Sequence, residues 1–160
     1  MEWTSLSTAN EGTIVSTTVI IGTTENDGIY RSQNAGSSWE LVKDHTAGKS
    51  WTSVALARDE PLRVYATQYP GYVWRSDDQG ETWVPFEVEK DWLGVCSSDD
   101  GLKAGFVPYF GFIFLYDFVS DEVHIHELEN TWTAIAMNSD GSIVTAVADP
   151  DHGGVGGKYF

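Results

Sequence analysis

One alternating pattern of apolar and small residues recurs four times along the chain. It consists of a tryptophan, any residue, a small residue, an aliphatic residue and a second small residue. The four copies are Trp3–Ser7, Trp51–Ala55, Trp92–Cys96 and Trp132–Ala136, and their tryptophans lie 48, 41 and 40 residues apart. A period of about 40 residues with strand-like content is typical of β-propeller blades, each made of four strands. Small residues at alternate positions suit an innermost strand, where blades crowd around an axis.

Shorter alternating runs predict the remaining strands of the first two units. In the first unit a second strand is expected near Ile14 to Ile21, followed by a polar turn from Thr23 to Gly28. A third strand carries Tyr30, and the fourth is expected at Trp39–Val42. The second unit repeats this order with predicted strands at 63–66, 72–75 and 83–86. No segment shows a sustained 3.6-residue period, so no helix is predicted.

The third and fourth units depart from this order toward the end of the chain. The third has an aromatic strand from Phe110 to Tyr116, followed by a different turn between Tyr116 and Val123. The fourth has a predicted strand at Ile143–Ala148 and, after a glycine-rich loop, a third strand at Lys158–Phe160. The prediction is therefore an all-β protein, a single β-propeller domain of four repeats with an incomplete last blade. The repeats are expected at about 2–49, 50–90, 91–130 and 131–160.

A hairpin motif stands between the third and fourth predicted strands of the first two units. The second unit reads S-x-D-x-G-x-T-W and the first reads S-x-N-x-G-x-S-W, 44 residues upstream. The Asp or Asn side chain can accept backbone N–H bonds across a tight turn, glycine supplies the positive φ, and tryptophan packs under the hairpin. The structural residues of the motif are Ser32, Asn34, Gly36 and Trp39 in one copy and Ser76, Asp78, Gly80 and Trp83 in the other.

These two hairpins resemble the Asp-box, or BNR repeat, of sialidase-type, VPS10-type and photosystem-assembly-factor-like β-propellers. The resemblance implies a propeller fold and a structural role for the motif. Sialidase catalysis would also need an arginine cluster, a tyrosine nucleophile with a glutamate beside it, and an aspartic acid. The chain has four arginines, and Arg31 and Arg75 stand at equivalent positions just before the two motifs. A structural role is expected for both, and no catalytic residue is predicted.

The charge of the chain narrows its possible partners. Twenty-four acidic and nine basic side chains give a formal net charge of −15. Nucleic acids and anionic membranes both require clustered Lys and Arg, so neither is expected as a partner, whereas a basic protein is compatible. No run of eighteen apolar residues occurs, so no membrane insertion is predicted. No secretory signal is evident at Met1–Ser5, and the compartment stays open. The single Cys96 is expected to be a small buried residue.

Three groups of residues could form a site. Aromatic residues expected in or beside turns could form a sugar-stacking platform or a protein hot spot, or could pack between blades; they are Tyr69, Tyr72, Tyr109, Phe110 and Phe112. His124 and His126 share a strand face and could ligate a metal, but a solvated face is preferred. The loop at Asp149–His152 could hold calcium, although its spacing matches no known calcium loop. No metal and no cofactor is predicted.

The sequence therefore predicts a non-enzymatic binding or assembly module, a scaffold or accessory subunit of a larger protein complex. The alternative is a carbohydrate-binding or sialidase/glycosidase-like module. The expected partner is another protein, or a second copy that pairs with the C-terminal edge strand at Lys158–Phe160. A glycan stays open as a ligand.

Overall fold

The computed structural model describes residues 3–10, 18–24, 27–42, 47–59, 62–149 and 158–159. Every regular element in these ranges is a β-strand, and within each sheet the strands that follow one another along the chain pair antiparallel. The sheets curl into a half-barrel, which confirms the predicted all-β propeller class. The described residues contain no helix at all, and so none that is long and apolar enough to cross a membrane.

The first two blades are four-stranded sheets whose strands follow chain order. Blade 1 comprises β1 (Trp3–Asn10), β2 (Thr18–Thr24), β3 (Ile29–Ser32) and β4 (Glu40–Leu41). Blade 2 comprises β5 (Trp51–Leu56), β6 (Val64–Gln68), β7 (Val73–Ser76) and β8 (Val84–Pro85). The fourth strands are short, and each begins one residue after the tryptophan that was expected to open it.

The turn between β2 and β3 of blade 1 is shorter than its sequence predicts. Thr23 and Thr24 belong to β2, where they pair with Ile29 and Trp3. The Thr24 hydroxyl donates to the carbonyl of Gly28 at 3.0 Å and accepts the Gly28 N–H at 3.0 Å. A threonine side chain can satisfy turn backbone groups in this way, so the strand reaches further than its polarity suggests.

Blades 3 and 4 are joined into one six-stranded sheet. It comprises β9 (Trp92–Ser97), β10 (Lys103–Pro108), β11 (Phe110–Asp117), β12 (Glu122–Met137), β13 (Val144–Ala148) and β14 (Lys158–Tyr159). β12 pairs with β11 as far as Thr131 and with β13 from Trp132 onward. One strand of 16 residues thus closes blade 3 and opens blade 4. β14 and β9 are the two edge strands of this sheet in the described residues, and Phe160 lies outside them.

The innermost strands lie side by side around the concave surface of the half-barrel. β1 packs beside β5, β5 beside β9, and β9 beside β12. Ser5 Oγ accepts the N–H of Val54 at 3.2 Å, and Ser7 Oγ accepts that of Leu56 at 3.0 Å. The small residues of the recurring pattern therefore serve hydrogen bonding between blades as well as close packing. Within the described residues, the closely packed pairs of inner strands are the three just named, and β12 with β1 is not one of them.

Three apolar clusters fill the spaces between consecutive blades. Each contains the inner-strand tryptophan of the later blade, and these three side chains are almost fully buried: Trp51, Trp92 and Trp132. An aromatic side chain of this size removes about 150–250 Å² from water, so the tryptophans dominate the packing between blades. The period of about 40 residues thus places one large anchor at every internal interface.

Candidate functional site

The hairpin between β7 and β8 is closed by the side chains of Ser76 and Asp78. Ser76 Oγ accepts the N–H of Gly80 at 2.8 Å and donates to Asp78 Oδ1 at 2.7 Å. Asp78 accepts the N–H of Thr82 at 2.8 Å and its hydroxyl at 2.6 Å. Partial burial opposes ionisation of Asp78, but the hydrogen bonds from Thr82 and Ser76 outweigh it and lower the pKa of the carboxyl. Gly80 takes a φ of 82°, a conformation that favours glycine.

The hairpin between β3 and β4 has the same hydrogen bonds to backbone N–H groups, but one side-chain bond is reversed, because Asn34 Nδ2 donates to Ser38 Oγ at 2.8 Å. Ser32 Oγ accepts the N–H of Gly36 at 2.9 Å, and Asn34 Oδ1 accepts the N–H of Ser38 at 2.8 Å. Gly36 has a φ of 81°. The tryptophans differ, because Trp83 is 3% exposed and Trp39 is only half-buried. Trp83 also donates its indole N–H to the carbonyl of Gly80 at 3.0 Å.

The third blade turns by other means between β11 and β12. Asp117 Oδ1 accepts the N–H groups of Val119 at 2.9 Å and Ser120 at 3.3 Å. Asp121, not a glycine, takes the positive φ, at 57°. The loop has neither the glycine nor the tryptophan of the first two hairpins. The carboxylate of Asp117 accepts the N–H groups of this turn, whereas Ser76 and Asp78 accept them together in blade 2.

Four exposed aromatic residues lie at one end of blades 2 and 3. We call Tyr69, Tyr72, Tyr109 and Phe110 the aromatic end; each side chain is between 39% and 59% exposed. The first two lie in the β6–β7 connection, Tyr109 lies in the β10–β11 connection, and Phe110 is the first residue of β11. Phe112, predicted with them, is half-buried within β11, because it lies two residues inside the strand.

Backbone hydrogen bonds hold these two connections against one shared segment. Gly71 and Lys90 exchange N–H bonds with each other's carbonyls at 3.0 and 2.9 Å. The N–H of Tyr109 donates to the carbonyl of Asp91 at 2.6 Å. Lys90 and Asp91 are adjacent, so the connections of blades 2 and 3 flank the same two residues. The two halves of the aromatic end therefore adjoin the same short segment, in which Asp91 is exposed.

Two lysines in the same region already lie over aromatic rings. Lys49 Nζ stands 4.8 Å from the ring centroid of Trp74, on which Tyr72 packs edge-on at 6.4 Å. Lys90 Nζ stands 5.5 Å from the centroid of Phe114. Cations are attracted to aromatic faces at such distances. The region thus accommodates basic side chains on its rings.

The other candidate residues do not converge on a site. His124 and His126 are exposed on β12, and the ring of His124 lies 3.9 Å from a carboxylate oxygen of Glu122. No three potential metal ligands come together within the described ranges. Asp149 is described, whereas the rest of the Asp149–His152 loop lies outside those ranges. All four arginines form ion pairs with carboxylates: Arg31, Arg58, Arg63 and Arg75.

A cavity on the concave surface is a feature that the sequence reasoning missed. Its volume is about 280 Å³, and all four inner strands contribute to its lining, among them Thr4, Thr52 and Thr133. Thr52 Oγ1 donates to the carbonyl of Trp92 at 3.0 Å, and Thr133 Oγ1 donates to that of Val147 at 3.1 Å. The sequence contains a signal for this polar lining, because three of the four recurring tryptophans are followed by threonine. These hydroxyls bond to backbone carbonyls within the sheets and between blades.

Comparison by sequence finds partial similarity to one kind of protein. No protein-family model matches the chain. Vacuolar protein sorting/targeting protein 10 of Sordaria macrospora is 31% identical over 77 residues, which cover 48% of this chain and 5% of that protein. The chain therefore spans about one-twentieth of the relative's length, and the similarity supports a propeller-type repeat family.

Comparison by structure extends the similarity to nearly the whole chain. Saccharomyces cerevisiae Sqt1 superimposes with a TM-score of 0.68 and 14% identity, over 92% of this chain and 44% of that chain. The computationally designed Ika4 protein gives a TM-score of 0.66 and 13% identity, over 93% of this chain and 86% of that chain. At such identities the likeness concerns the fold alone, and it supports the β-propeller architecture.

Proposed function

We propose that this chain is a non-enzymatic, protein-binding propeller module that acts as a scaffold or accessory subunit of a larger complex. The observation that carries the proposal is the aromatic end, formed by Tyr69, Tyr72, Tyr109 and Phe110. Exposed tyrosine and phenylalanine are typical anchors of protein interfaces, because they offer large contact areas at a low cost in side-chain entropy. The similarity to a vacuolar sorting protein supports a binding role over a catalytic one.

The backbone of the aromatic end is fixed by hydrogen bonds within the chain itself. Its two connections are tied to Lys90 and Asp91 by backbone hydrogen bonds of 2.6–3.0 Å. A surface that is already ordered loses less conformational entropy on binding, so more of the contact energy appears as affinity. This distinguishes the aromatic end from a flexible loop that has aromatic residues by composition only.

The chemistry of the surroundings favours a basic partner. Asp91 and Glu89 are exposed beside the tyrosines, and the whole chain has a formal charge of −15. Arginine and lysine side chains of a partner could stack on the rings and pair with these carboxylates, much as Lys49 and Lys90 lie over rings within the chain. Opposite net charges would also raise the association rate at low ionic strength.

The two serine-closed hairpins have a structural role in this proposal. We propose that Ser32–Trp39 and Ser76–Trp83 are Asp-box hairpins that fix the angle between the third and fourth strands of their blades. Their polar side chains are used within the turn, and Asp78 bonds to Thr82 and Ser76. Substitutions in these hairpins should therefore change stability and leave partner binding to the aromatic end.

An array of peptides of varied charge tests the proposal directly. We expect the wild-type chain to bind basic, arginine-containing peptides and to lose affinity as salt is raised. The double variant Tyr72→Ala, Phe110→Ala should weaken this binding at least about thirtyfold, as expected for hot-spot residues. Val119→Ala is the matched control, because Val119 is exposed on the opposite hairpin of blade 3.

Other outcomes would contradict the proposal. A glycan array and a panel of fluorogenic glycosides should be run on the same preparations. If the wild-type chain binds glycans but no peptide, and the double variant loses the glycan binding, then the ligand of the aromatic end is a carbohydrate and not a protein. Turnover of any glycoside would show that the module is an enzyme. Equal peptide binding by the double variant and by Val119→Ala would remove the aromatic end as the contact surface.

A further inference from the structure

Every internal interface of the half-barrel joins two different blade faces. The leading face of a blade carries its inner-strand tryptophan and the aliphatic residue three positions later, such as Trp51 and Val54. The trailing face of the preceding blade carries side chains from its second strand, such as Ile21. Blades 2 to 3 and 3 to 4 join in the same manner, through Tyr65 and Val107 on their trailing faces.

The leading face of blade 1 has the same construction but is uncovered. Trp3 packs on Tyr30 and Trp39 of its own blade at 5.7 and 4.9 Å. Trp51 packs on its two equivalents in blade 2 at 6.0 and 6.3 Å. Trp3 is nevertheless 41% exposed, whereas Trp51 is 1% exposed. The packing inside the blade is alike, so the difference comes from the neighbouring blade that covers Trp51.

Leu6 shows the same contrast on this face. It is 56% exposed, while its equivalents Val54 and Val95 are 5% and 6% exposed. A tryptophan and a leucine, side by side and both open to water, form an apolar surface whose equivalents are buried in blades 2 and 3; in blade 4 the tryptophan is buried and Ile135, the equivalent of Leu6, is partly buried.

The trailing face of blade 4 is uncovered as well. Val147 pairs with Ala134 in register, as Val107 pairs with Gly94 in blade 3. Val107 is fully buried, but Val147 is 52% exposed. Ala134, Ala136 and Thr145 are also exposed around it. The two ends of the arc therefore present the two halves of one interface type.

The internal interface between blades 3 and 4 shows how these halves would meet. Ile135, the equivalent of Leu6, lies over the small trailing-face residues Gly94 and Gly105; side chains added there would contact it at 3.4 and 3.0 Å. The corresponding residues of blade 4 are Ala134 and Thr145. If a blade 1 packed on blade 4 as blade 4 packs on blade 3, its Leu6 would lie over these two residues and against Val147.

We infer that a second copy of this chain covers both faces, with blade 1 of each copy packed on blade 4 of the other. A two-fold rotation creates two such contacts at once and closes a ring of eight blades, leaving neither half uncovered. Trp3 and Leu6 at one end and Val147 at the other are exposed, so the two end faces do not cover each other within one chain. The inference uses the end faces of the arc and does not depend on the aromatic end, so either proposal can fail without the other.

Sedimentation of the full 160-residue chain tests the inference. We expect a particle of twice the chain mass of 17.7 kDa. Raising the salt concentration should tighten the dimer, because two chains of charge −15 repel each other while their contact is apolar. Leu6→Lys and Val147→Glu should each give a folded monomer. Loss of a hot-spot residue weakens one contact about thirtyfold, and the ring has two contacts, so the dimer should weaken about a thousandfold.

Mixing the two variants provides the decisive measurement. In a dimer with one chain of each kind, the introduced lysine faces the introduced glutamate at one contact, and the other contact is wild type. The mixture should therefore sediment as a dimer again. The control Val119→Lys introduces a charge at a side chain that is 74% exposed and away from both faces, and it should stay dimeric. A folded wild-type monomer at about 100 μM, a dimer that survives both single variants, or a mixture that stays monomeric would each overturn the inference.

Discussion

Replacing Trp83 with alanine should destabilise the fold strongly, and far more than the same change at Trp39. Both tryptophans follow the same hairpin motif. Trp83 is 3% exposed, packs on Trp51 with ring centroids 6.3 Å apart, and bonds to the Gly80 carbonyl. Trp39 is half-buried, because it packs on the uncovered Trp3. The two positions form a matched pair that differs in burial.

The magnitude follows from the buried area. A buried tryptophan removes about 200 Å² from water, worth about 5 kcal/mol at 25 cal/mol per Å². Large-to-alanine substitutions in protein cores cost about 3–5 kcal/mol, so about 4 kcal/mol is expected for Trp83→Ala. For a domain of this size that corresponds to a fall of about 8–16 °C in Tm. Trp39→Ala should cost about half as much, roughly 2 kcal/mol.

Urea unfolding followed by far-ultraviolet circular dichroism measures both costs without relying on tryptophan emission. Trp83→Phe should lie between the wild type and Trp83→Ala, because it keeps most of the ring but leaves the Gly80 carbonyl without its indole donor, at a cost of about 1–3 kcal/mol. If Trp83→Ala costs no more than Trp39→Ala, then burial beneath the hairpin is not what anchors blade 2, and the reasoning fails.

Three further predictions concern single side chains. Ser76→Ala should lower the free energy of unfolding by about 1–3 kcal/mol, measured in urea, because the N–H of Gly80 loses a buried acceptor. Asp78 has a folded-state pKa below its unfolded value of about 3.9, so its carboxylate stabilises the fold above that pH and the contribution is lost as pH falls through the folded pKa. Asp78→Asn should therefore flatten the acid limb of a stability-against-pH curve, and an unchanged limb would contradict this. Burial raises the pKa of Cys96 to about 12, so its thiol should react with a disulfide reagent only as the protein unfolds; rapid labelling under native conditions would refute it.

The repeat architecture could be predicted because its signals are local. The recurring pattern around Trp51, Trp92 and Trp132 depends on the alternation of one strand, and the hairpins at Ser32 and Ser76 each close within about eight residues. Turn chemistry and strand period act over such distances, so the sequence alone determines them. The same locality explains an error: Thr24 reads as a turn residue, although its hydroxyl closes the turn from within β2.

The tertiary structure decided which copies of a repeated element are buried. Trp3-Thr4-Ser5 and Trp51-Thr52-Ser53 are identical in sequence, yet one tryptophan is open to water and the other is covered. Likewise, no local pattern shows that β12 runs without a break from blade 3 into blade 4, or that Lys90 and Asp91 bring two aromatic connections together. Burial depends on the blade that packs alongside, and that neighbour lies about 40 residues away along the chain, beyond the reach of any local signal.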